Sequence, residues 1–277
     1  MPTTDHRKAA VLGKPIEHSL SPILHAAAYR ALGNDWQFDK YEVDVEELAS
    51  FLIGAGSDIA GYALTMPLKD EAFAIASTHD EYSELTRAAN TLIPDAGGWK
   101  SFNTDVVGFI NTLQETHVDV TRRPVVIGAG ATARSAVAAL SSLGAKHIDV
   151  VARREMAVAE IQAMFPKVAI TAVPLGPKEV VGELVISTLP AGAADGIDLS
   201  SDVKLVYDVV YAPWPSRFAL TAQERGSGVL GGLDLLVAQA VEQVILMTGC
   251  SDSERSRLAA AMRVAGESEQ QKRSKAD

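Results

Sequence analysis

The stretch from Val125 to Gly144, VVIGAGATARSAVAALSSLG, constrains the fold more than any other part of the chain. Its β-branched residues predict a strand, its glycines a tight turn, and the small residues after them a helix that Gly144 ends. The next stretch, KHIDVVARR, predicts a second strand. Strand, crossover helix and strand in this order form a βαβ unit, which belongs to a parallel sheet.

Apolar runs of strand length alternate with amphipathic helical stretches along the rest of the chain, which predicts an α/β fold with largely parallel sheets. The pattern changes near VDVTRRP, and 277 residues suffice for two domains of ordinary size. We predict that the chain divides near this segment into two α/β domains, the second of which begins with the βαβ unit and is of the doubly wound Rossmann type. Residues 70–85 are expected to form one helix, and the final SEQQKRSKAD to fray.

Composition and charge exclude several classes of function. The net charge of −10 argues against a nucleic-acid or anionic membrane surface. The single cysteine, Cys250, allows no intrachain disulfide, and no apolar run reaches the roughly 18 residues of a membrane span. These features predict a soluble cytoplasmic protein with small-molecule partners. The six histidines show no ligand spacing, so no metal site is predicted.

The glycine turn predicts a dinucleotide site, because it follows a strand and opens a helix. In this interpretation Gly128 makes the turn, Gly130 admits a pyrophosphate close to the backbone, and the N–H groups of the helix start bind it. The alternative is an ordinary βα loop that is rich in glycine. The candidate cofactor-binding residues of this loop are Gly128, Ala129, Gly130, Ala131, Thr132 and Ala133.

The end of the second strand discriminates between the two nicotinamide cofactors. An NAD site usually carries an acidic residue here, which accepts a hydrogen bond from the ribose 2′-hydroxyl. This strand ends in Arg153 and Arg154, and two guanidinium groups suit a 2′-phosphate instead. We therefore predict NADP over NAD. The alternatives are a solvated basic pair, or a ribose contact from Asp149 if the strand ends earlier.

Two serines in GKPIEHSLSP, Ser19 and Ser21, allow two interpretations. Ser21 followed by Pro22 is typical of a helix N-cap and the first helical position. A helix start beside two hydroxyl groups also suits a small carboxylate. The two interpretations are compatible if Ser21 both begins the helix and faces an anion.

Eight motifs in order from about Val11 to Gln243 resemble the shikimate dehydrogenase family: GKPIEHSLSP, LTMPLK, AANT, NTDVVGF, GAGATAR, STLPAG, DVVYAPWPS and GLDLLVAQA. The resemblance implies reversible reduction of 3-dehydroshikimate to shikimate by NADPH, in the route to chorismate and aromatic amino acids. It implies a mixed α/β substrate-binding and catalytic domain of residues 1–108 and 240–277. A Rossmann-type, doubly wound NADP-binding domain of residues 109–239 is then inserted into it, with a cleft between the two. The resemblance also implies catalysis by Lys69 and Asp105, and cofactor contacts from Thr188 and Gly232. The substrate-binding residues that it implies are Ser19, Ser21, Thr65, Asn90, Tyr211 and Gln239.

Some positions depart from the family pattern. Ala63 stands where the family usually has Asn, Ala131 where it often has a third glycine, and Arg154 where it has Thr. Asp234 brings a charge to a position near the expected nicotinamide, where it could alter the pocket. Two rivals remain: a quinate/shikimate dehydrogenase that uses NAD, and an NADP-binding protein without catalysis. Ser21, where quinate users often have Thr, argues against the first, and the presence of both Lys69 and Asp105 argues against the second.

Overall fold

A computed structural model describes residues 6–176 and 179–275 of the chain. The strands are β1 (Lys8–Gly13), β2 (Gln37–Glu42), β3 (Ile59–Leu64), β4 (Thr78–His79), β5 (Thr91–Asp95), β6 (Gly98–Phe102), β7 (Val125–Ile127), β8 (His147–Ala152), β9 (Ala169–Pro174), β10 (Leu184–Ser187), β11 (Leu205–Asp208) and β12 (Gly228–Leu230). The helices are α1 (Ser21–Leu32), α2 (Val45–Ile53), α3 (Lys69–Ile75), α4 (Glu81–Thr86), α5 (Thr104–Gln114), α6 (Ala131–Ser142), α7 (Glu155–Met164), α8 (Arg217–Glu224), α9 (Gly232–Thr248) and α10 (Arg255–Arg273).

These elements group into two compact units, the first within residues 1–104 and 236–277 and the second within 105–235. The assignment of the first to substrate and the second to NADP stays a prediction here. In the part of the chain that the structure describes, no helix combines the length and apolarity needed to cross a bilayer.

The first unit is built on a mixed six-stranded sheet of order β2-β1-β3-β5-β6-β4. Strands β2, β1 and β3 are parallel, whereas β5 and β6 form an antiparallel hairpin. Strand β1 is buried from Ala9 to Gly13, which explains its continuous apolar sequence. Because β1 and β3 are parallel, the loops that follow them leave the sheet at the same edge.

The second unit contains a fully parallel six-stranded sheet of order β9-β8-β7-β10-β11-β12. This is the strand order of doubly wound dinucleotide-binding folds, in which the order of successive strands reverses between the first and the fourth strand. Here that reversal lies between β7 and β10, and the glycine loop follows β7. The predicted Rossmann-type architecture is confirmed. Helix α8 and strand β12, which is the edge strand next to β11, were not predicted.

The predicted single helix over residues 70–85 is wrong. The chain forms α3, then the short strand β4, then α4. One tertiary and one local interaction interrupt the helix. Strand β4 pairs in parallel with β6, and the Asp80 carboxylate accepts a hydrogen bond from the backbone N–H of Ser83 at the start of α4. An N-cap aspartate stabilises a new helix start by about 1 kcal/mol, which the local apolar pattern does not reveal.

The prediction of a frayed C-terminus is also wrong through Arg273, where α10 ends. Helix α10 packs along α1 and buries Leu258, Met262 and Gly266. The Arg273 guanidinium donates to the backbone carbonyl of His18 across 2.9 Å. A polar sequence is helical here because one narrow stripe of small and apolar residues is buried.

Candidate active site

The two loops that follow β1 and β3 in the first unit are joined by backbone hydrogen bonds. The N–H of Thr65 donates to the carbonyl of Leu12 across 2.9 Å, and that of Lys14 donates to Met66 across 2.9 Å. A Cβ on Gly13 would lie 2.4 Å from Cγ2 of Thr65, so only glycine permits this approach. The predicted site residue Thr65 is therefore held beside the start of the serine loop.

The serine loop leads directly into α1, but the predicted N-cap role of Ser21 is wrong. Ser21 is the first residue of α1, and Leu20 occupies the cap position without a side-chain hydrogen bond. The hydroxyl of Ser19 instead accepts from the backbone N–H of Ser21 across 3.3 Å. Pro22, at the second helical position, has no N–H to satisfy. The two serine side chains are thus adjacent at the amino end of a twelve-residue helix, which is a suitable place for a carboxylate.

A buried histidine supports this helix start from the next turn. His25 has no exposed surface, and its Nδ1 lies 2.9 Å from the backbone carbonyl oxygen of Ser21. The ring stacks on Phe38, with the ring centroids 3.8 Å apart. Burial lowers the pKa of His25 to about 4, so the ring is neutral at pH 7. Because a carbonyl oxygen can only accept, the single ring proton is on Nδ1, which donates a hydrogen bond to the carbonyl of Ser21.

Lys69 and Asn90 are linked through the backbone of neighbouring loops. Lys69 is the first residue of α3, and its carbonyl accepts from the N–H of Ala89 across 2.8 Å. The carbonyl of Asn90 accepts from Leu64 at the end of β3 across 2.7 Å, and its N–H donates to Phe102 across 3.1 Å. Two of the predicted site residues therefore lie on adjacent segments of one sheet edge.

The side chain of Asn90 lies at the centre of a buried polar cluster. Its Nδ2 donates to Oγ1 of Thr104 across 2.8 Å and to Oε1 of Gln239 across 3.2 Å. Its Oδ1 accepts from the backbone N–H of Thr104 across 2.8 Å. Gln239 in turn donates to the carbonyl of Leu236 across 2.7 Å. The structure thus brings together Asn90 and Gln239, which the resemblance implies as substrate-binding residues.

Two members of this cluster, Thr91 and Gln243, were not singled out from the sequence. Nε2 of Gln243 donates to Oγ1 of Thr91 across 3.0 Å and to the carbonyl of Asn90 across 3.1 Å. The four-residue spacing of Gln239 and Gln243 places them on one face of α9. A pair of glutamines within an apolar helix is the signal that could have identified them.

In the second unit, the predicted cofactor residues Gly128 and Thr188 are in direct contact. Gly128 has a φ of +113°, and a Cβ there would lie 2.3 Å from Oγ1 of Thr188. The N–H and hydroxyl of Thr188 donate to the carbonyl of Ile127 across 2.8 and 2.9 Å. The carboxyl ends of β7 and β10 therefore meet where the strand order reverses, the position where such sheets bind ligands.

The start of α6 fits a dinucleotide pyrophosphate. Gly130 is the extended residue before Ala131, and its position leaves open space where a Cβ would be. The first turn contains no acidic residue, and Ala133 is fully buried against the sheet. Ala129 and Thr132 complete the loop. Backbone N–H groups at a helix start form an anion site, and the open space at Gly130 lets a pyrophosphate approach them closely.

Arg153 and Arg154 are both exposed where β8 ends and α7 begins, with Arg154 at the N-cap position. The alternative ribose ligand, Asp149, lies in the middle of β8 and pairs with Arg123 across 3.0 Å. Asp149 is therefore engaged away from the carboxyl end of its strand. The basic pair remains the candidate for recognition of a 2′-phosphate.

Gly232 and Asp234 have structural roles at the start of α9. A Cβ on Gly232 would lie 2.1 Å from the carbonyl oxygen of Val209, so only glycine permits this backbone contact. The Asp234 carboxylate accepts from the N–H of Gly231 across 2.7 Å. That hydrogen bond is the second half of a capping box, and a negative charge is favourable at a helix start. The charge that departs from the family pattern thus caps its own helix.

Tyr211 lies on the segment after β11, which a buried carboxylate anchors. Oδ2 of Asp208 accepts from the Ser216 hydroxyl across 2.5 Å, and Oδ1 accepts from the N–H of Val210 across 3.4 Å. Ser216 also caps α8 by accepting from Ala219. Burial raises the pKa of Asp208 above its usual value, although the hydrogen bonds oppose that shift.

Asp105 is buried in the first turn of α5 and begins the second unit, whereas Lys69 belongs to the first. The implied pairing of these two residues, like the contact of Tyr211 with the serines, remains a prediction. Asp105 directly follows Thr104 in the chain, and Thr104 bonds to Asn90.

Comparison with known proteins gives a consistent result. Residues 11–92 match the family model described as the shikimate dehydrogenase substrate binding domain. A shikimate dehydrogenase (NADP(+)) of Synechocystis is 34% identical over 248 residues, 83% of this chain and 86% of the relative. The crystal structure of the Mycobacterium tuberculosis shikimate dehydrogenase has 33% identity and a TM-score of 0.84 over 93% of this chain and 99% of that one. The Thermus thermophilus shikimate 5-dehydrogenase in complex with NADP(H) and shikimate has 28% identity and a TM-score of 0.82 over 94% and 99%.

Proposed function

Because the chain belongs to the shikimate dehydrogenase family, we propose that it catalyses the reversible, NADP-dependent reduction of 3-dehydroshikimate to shikimate. The observation that carries the proposal is the grouping of the family's polar residues at one sheet edge of the first unit. Lys69 is bonded through its carbonyl to Ala89, beside Asn90, and Asn90 is bonded to Gln239. The similarity to a structure solved with NADP(H) and shikimate supports the same reaction.

In the proposed reaction, Lys69 stabilises the negative charge that develops on the ketone oxygen and delivers the proton to it. Asp105 accepts a hydrogen bond from a substrate hydroxyl and orients both groups. Ser19 and Ser21 bind the substrate carboxylate at the start of α1, with Tyr211 assisting. Thr65, Asn90 and Gln239 hold the ring hydroxyls.

The second unit supplies the proposed cofactor site. The loop from Gly128 to Ala133 holds the pyrophosphate, and Arg153 and Arg154 bind the 2′-phosphate of NADP. Thr188 borders the loop at the end of β10. When bound, the nicotinamide supplies the hydride, and the protein supplies orientation. The shikimate route to aromatic amino acids and a cytoplasmic location are part of the proposal, and the relatives named as NADP-dependent shikimate dehydrogenases support the route.

The test is an absorbance assay at 340 nm with shikimate or quinate, each combined with NADP or NAD. We expect turnover with shikimate and NADP, and a loss of about 100- to 1000-fold in kcat for Lys69→Ala, since removing a charge-stabilising donor typically costs that much. Lys100→Ala is the matched control. Lys100 lies on β6, 5.2 Å from the Phe102 ring centre, and its loss should leave kcat unchanged.

Each other outcome contradicts a specific part of the proposal. Equal or faster turnover with quinate and NAD would assign the chain to the quinate-using subfamily. Tight NADP binding without turnover of either substrate would indicate a binding protein. An undiminished kcat in Lys69→Ala would remove Lys69 from the mechanism.

A further inference from the structure

The orientation of the Asn90 amide is determined by its neighbours. The backbone N–H of Thr104 can only donate a hydrogen bond, so the Asn90 atom 2.8 Å away from it is the oxygen. The Thr91 hydroxyl lies 3.0 Å from the same oxygen. Oγ1 of Thr104 lies 3.1 Å from Oδ1 and 2.8 Å from Nδ2. Because Oδ1 already accepts from the Thr104 N–H and the Thr91 hydroxyl, Nδ2 is directed to Oγ1 of Thr104 and to Oε1 of Gln239.

Gln243 determines the direction of the Thr91 hydrogen bond. Nε2 of Gln243 can only donate, so Oγ1 of Thr91 accepts from it across 3.0 Å and its own proton is available to Oδ1 of Asn90. Thr91 is fully buried and Gln243 is 2% exposed. Gln243 thus donates to Thr91 and Thr91 donates to Asn90, a chain of two hydrogen bonds that we call the relay. Reversing the direction of either hydrogen bond would leave a buried donor facing another donor, which costs about 1–3 kcal/mol.

We infer that Thr91 and Gln243 are positioning residues that fix the Asn90 side chain with its nitrogen toward Gln239. The inference rests on the proposed function, because it concerns how Asn90 meets the substrate. A substrate hydroxyl that replaces the direct Asn90–Gln239 hydrogen bond accepts from Nδ2 of Asn90 and donates to Oε1 of Gln239. The pair therefore selects a hydroxyl group, which is donor and acceptor at once, over a carbonyl, which only accepts.

The kinetic test compares Thr91→Val, which keeps the shape and loses the hydroxyl, with Thr91→Ser, which keeps the hydroxyl. We expect Thr91→Val to raise KM for shikimate about tenfold, with KM for NADP unchanged. Thr91→Ser should stay within about twofold of the wild type. Gln243→Met, which removes the other end of the relay, should show a smaller rise of the same kind.

A double-mutant cycle distinguishes positioning from a general structural effect. In an Asn90→Ala background, Thr91→Val should change kcat/KM by less than about twofold, because no amide remains to be oriented. Thr112→Val is the matched control: Thr112 is a buried threonine of the second unit whose hydroxyl bonds to Tyr207 and to backbone carbonyls. It should change thermal stability but not KM for shikimate. Additive effects in the cycle would overturn the inference.

A measurement without substrate separates this inference from the proposed function. The side-chain NH₂ signals of Asn90, assigned by their loss in Asn90→Ala, should exchange slowly with solvent in the wild type and Thr91→Ser. Thr91→Val, or Gln243→Met if the first variant does not fold, should exchange at least about tenfold faster. Equal protection in all variants would refute the relay. A wild type with protected signals but no shikimate turnover would refute the proposed function alone.

Discussion

Nδ2 of Asn90 donates to Oε1 of Gln239 across 3.2 Å, although 149 positions separate the two residues in the chain. The contact ties the loop before β5 to helix α9. Both side chains are buried, with Gln239 6% and Asn90 2% exposed. The polar groups proposed to hold the substrate hydroxyls are therefore held in place before any ligand binds, which reduces the entropy lost on binding.

Replacing Gln239 by leucine should raise KM for shikimate at least about tenfold while KM for NADP stays within about twofold. The variant removes the acceptor from Nδ2 of Asn90 and leaves a buried donor without its partner, a cost of about 1–3 kcal/mol. Steady-state kinetics with each substrate varied in turn measures the effect. Gln162→Leu is the control, since Gln162 bonds to Ile170 in the second unit; a similar shikimate effect there would contradict the assignment.

Substitution by alanine should have different effects at two glycines of the second unit, lowering stability at Gly232 and cofactor affinity at Gly130. Gly232→Ala places a Cβ 2.1 Å from a backbone carbonyl that cannot rotate away, so the free energy of unfolding should fall by about 2–3 kcal/mol. Gly130→Ala meets open space in the protein alone, so stability should be kept while NADP affinity drops at least about tenfold. Denaturant unfolding and cofactor titration measure the two effects. A stable Gly232→Ala variant would contradict the packing argument.

Removing the basic pair after β8 should change cofactor choice. Arg153→Ala combined with Arg154→Ala should lower kcat/KM for NADP at least about 100-fold and change that for NAD by less than about threefold, because only NADP carries the 2′-phosphate. Raising the salt concentration should reproduce part of the loss in the wild type, since both arginines are exposed. Equal losses of kcat/KM for both cofactors would show that the two arginines stabilise the fold and do not recognise the 2′-phosphate.

Acidification should destabilise the protein through His25. Its pKa is about 4 when folded and 6.5 when unfolded. Between these values the unfolded chain binds a proton that the folded one excludes, so stability falls as pH falls, by about 1.4 kcal/mol per pH unit at most.

The pH dependence of unfolding in His25→Gln isolates this contribution from that of the carboxylates. The variant should lose the extra slope between pH 6.5 and 4, whereas His18→Gln, at an exposed position, should retain it. An unchanged slope in His25→Gln would show that the ring takes up a proton in the folded state.

Local sequence predicted much of the second unit, because each element there has its own signal. The run VVI predicts β7, Gly128 predicts a turn that a side chain would strain, and Gly144 ends the helix after it with a φ of +101°. Such features depend on the conformational preferences of a few neighbouring residues. The same local logic was wrong for residues 70–85, where pairing of β4 with β6 breaks the expected helix.

The sequence by itself determined the order of strands and helices, the glycine loop and the residue types of the candidate site. Only the tertiary structure decided which of those residues meet. Asn90 contacts Gln239 and Gln243 because β5 and α9 pack in one unit, and α10 extends to Arg273 because α1 covers its buried stripe. The spacing of residues along the chain determines local geometry, whereas a contact between residues about 150 positions apart depends on how the helices and strands pack around the core.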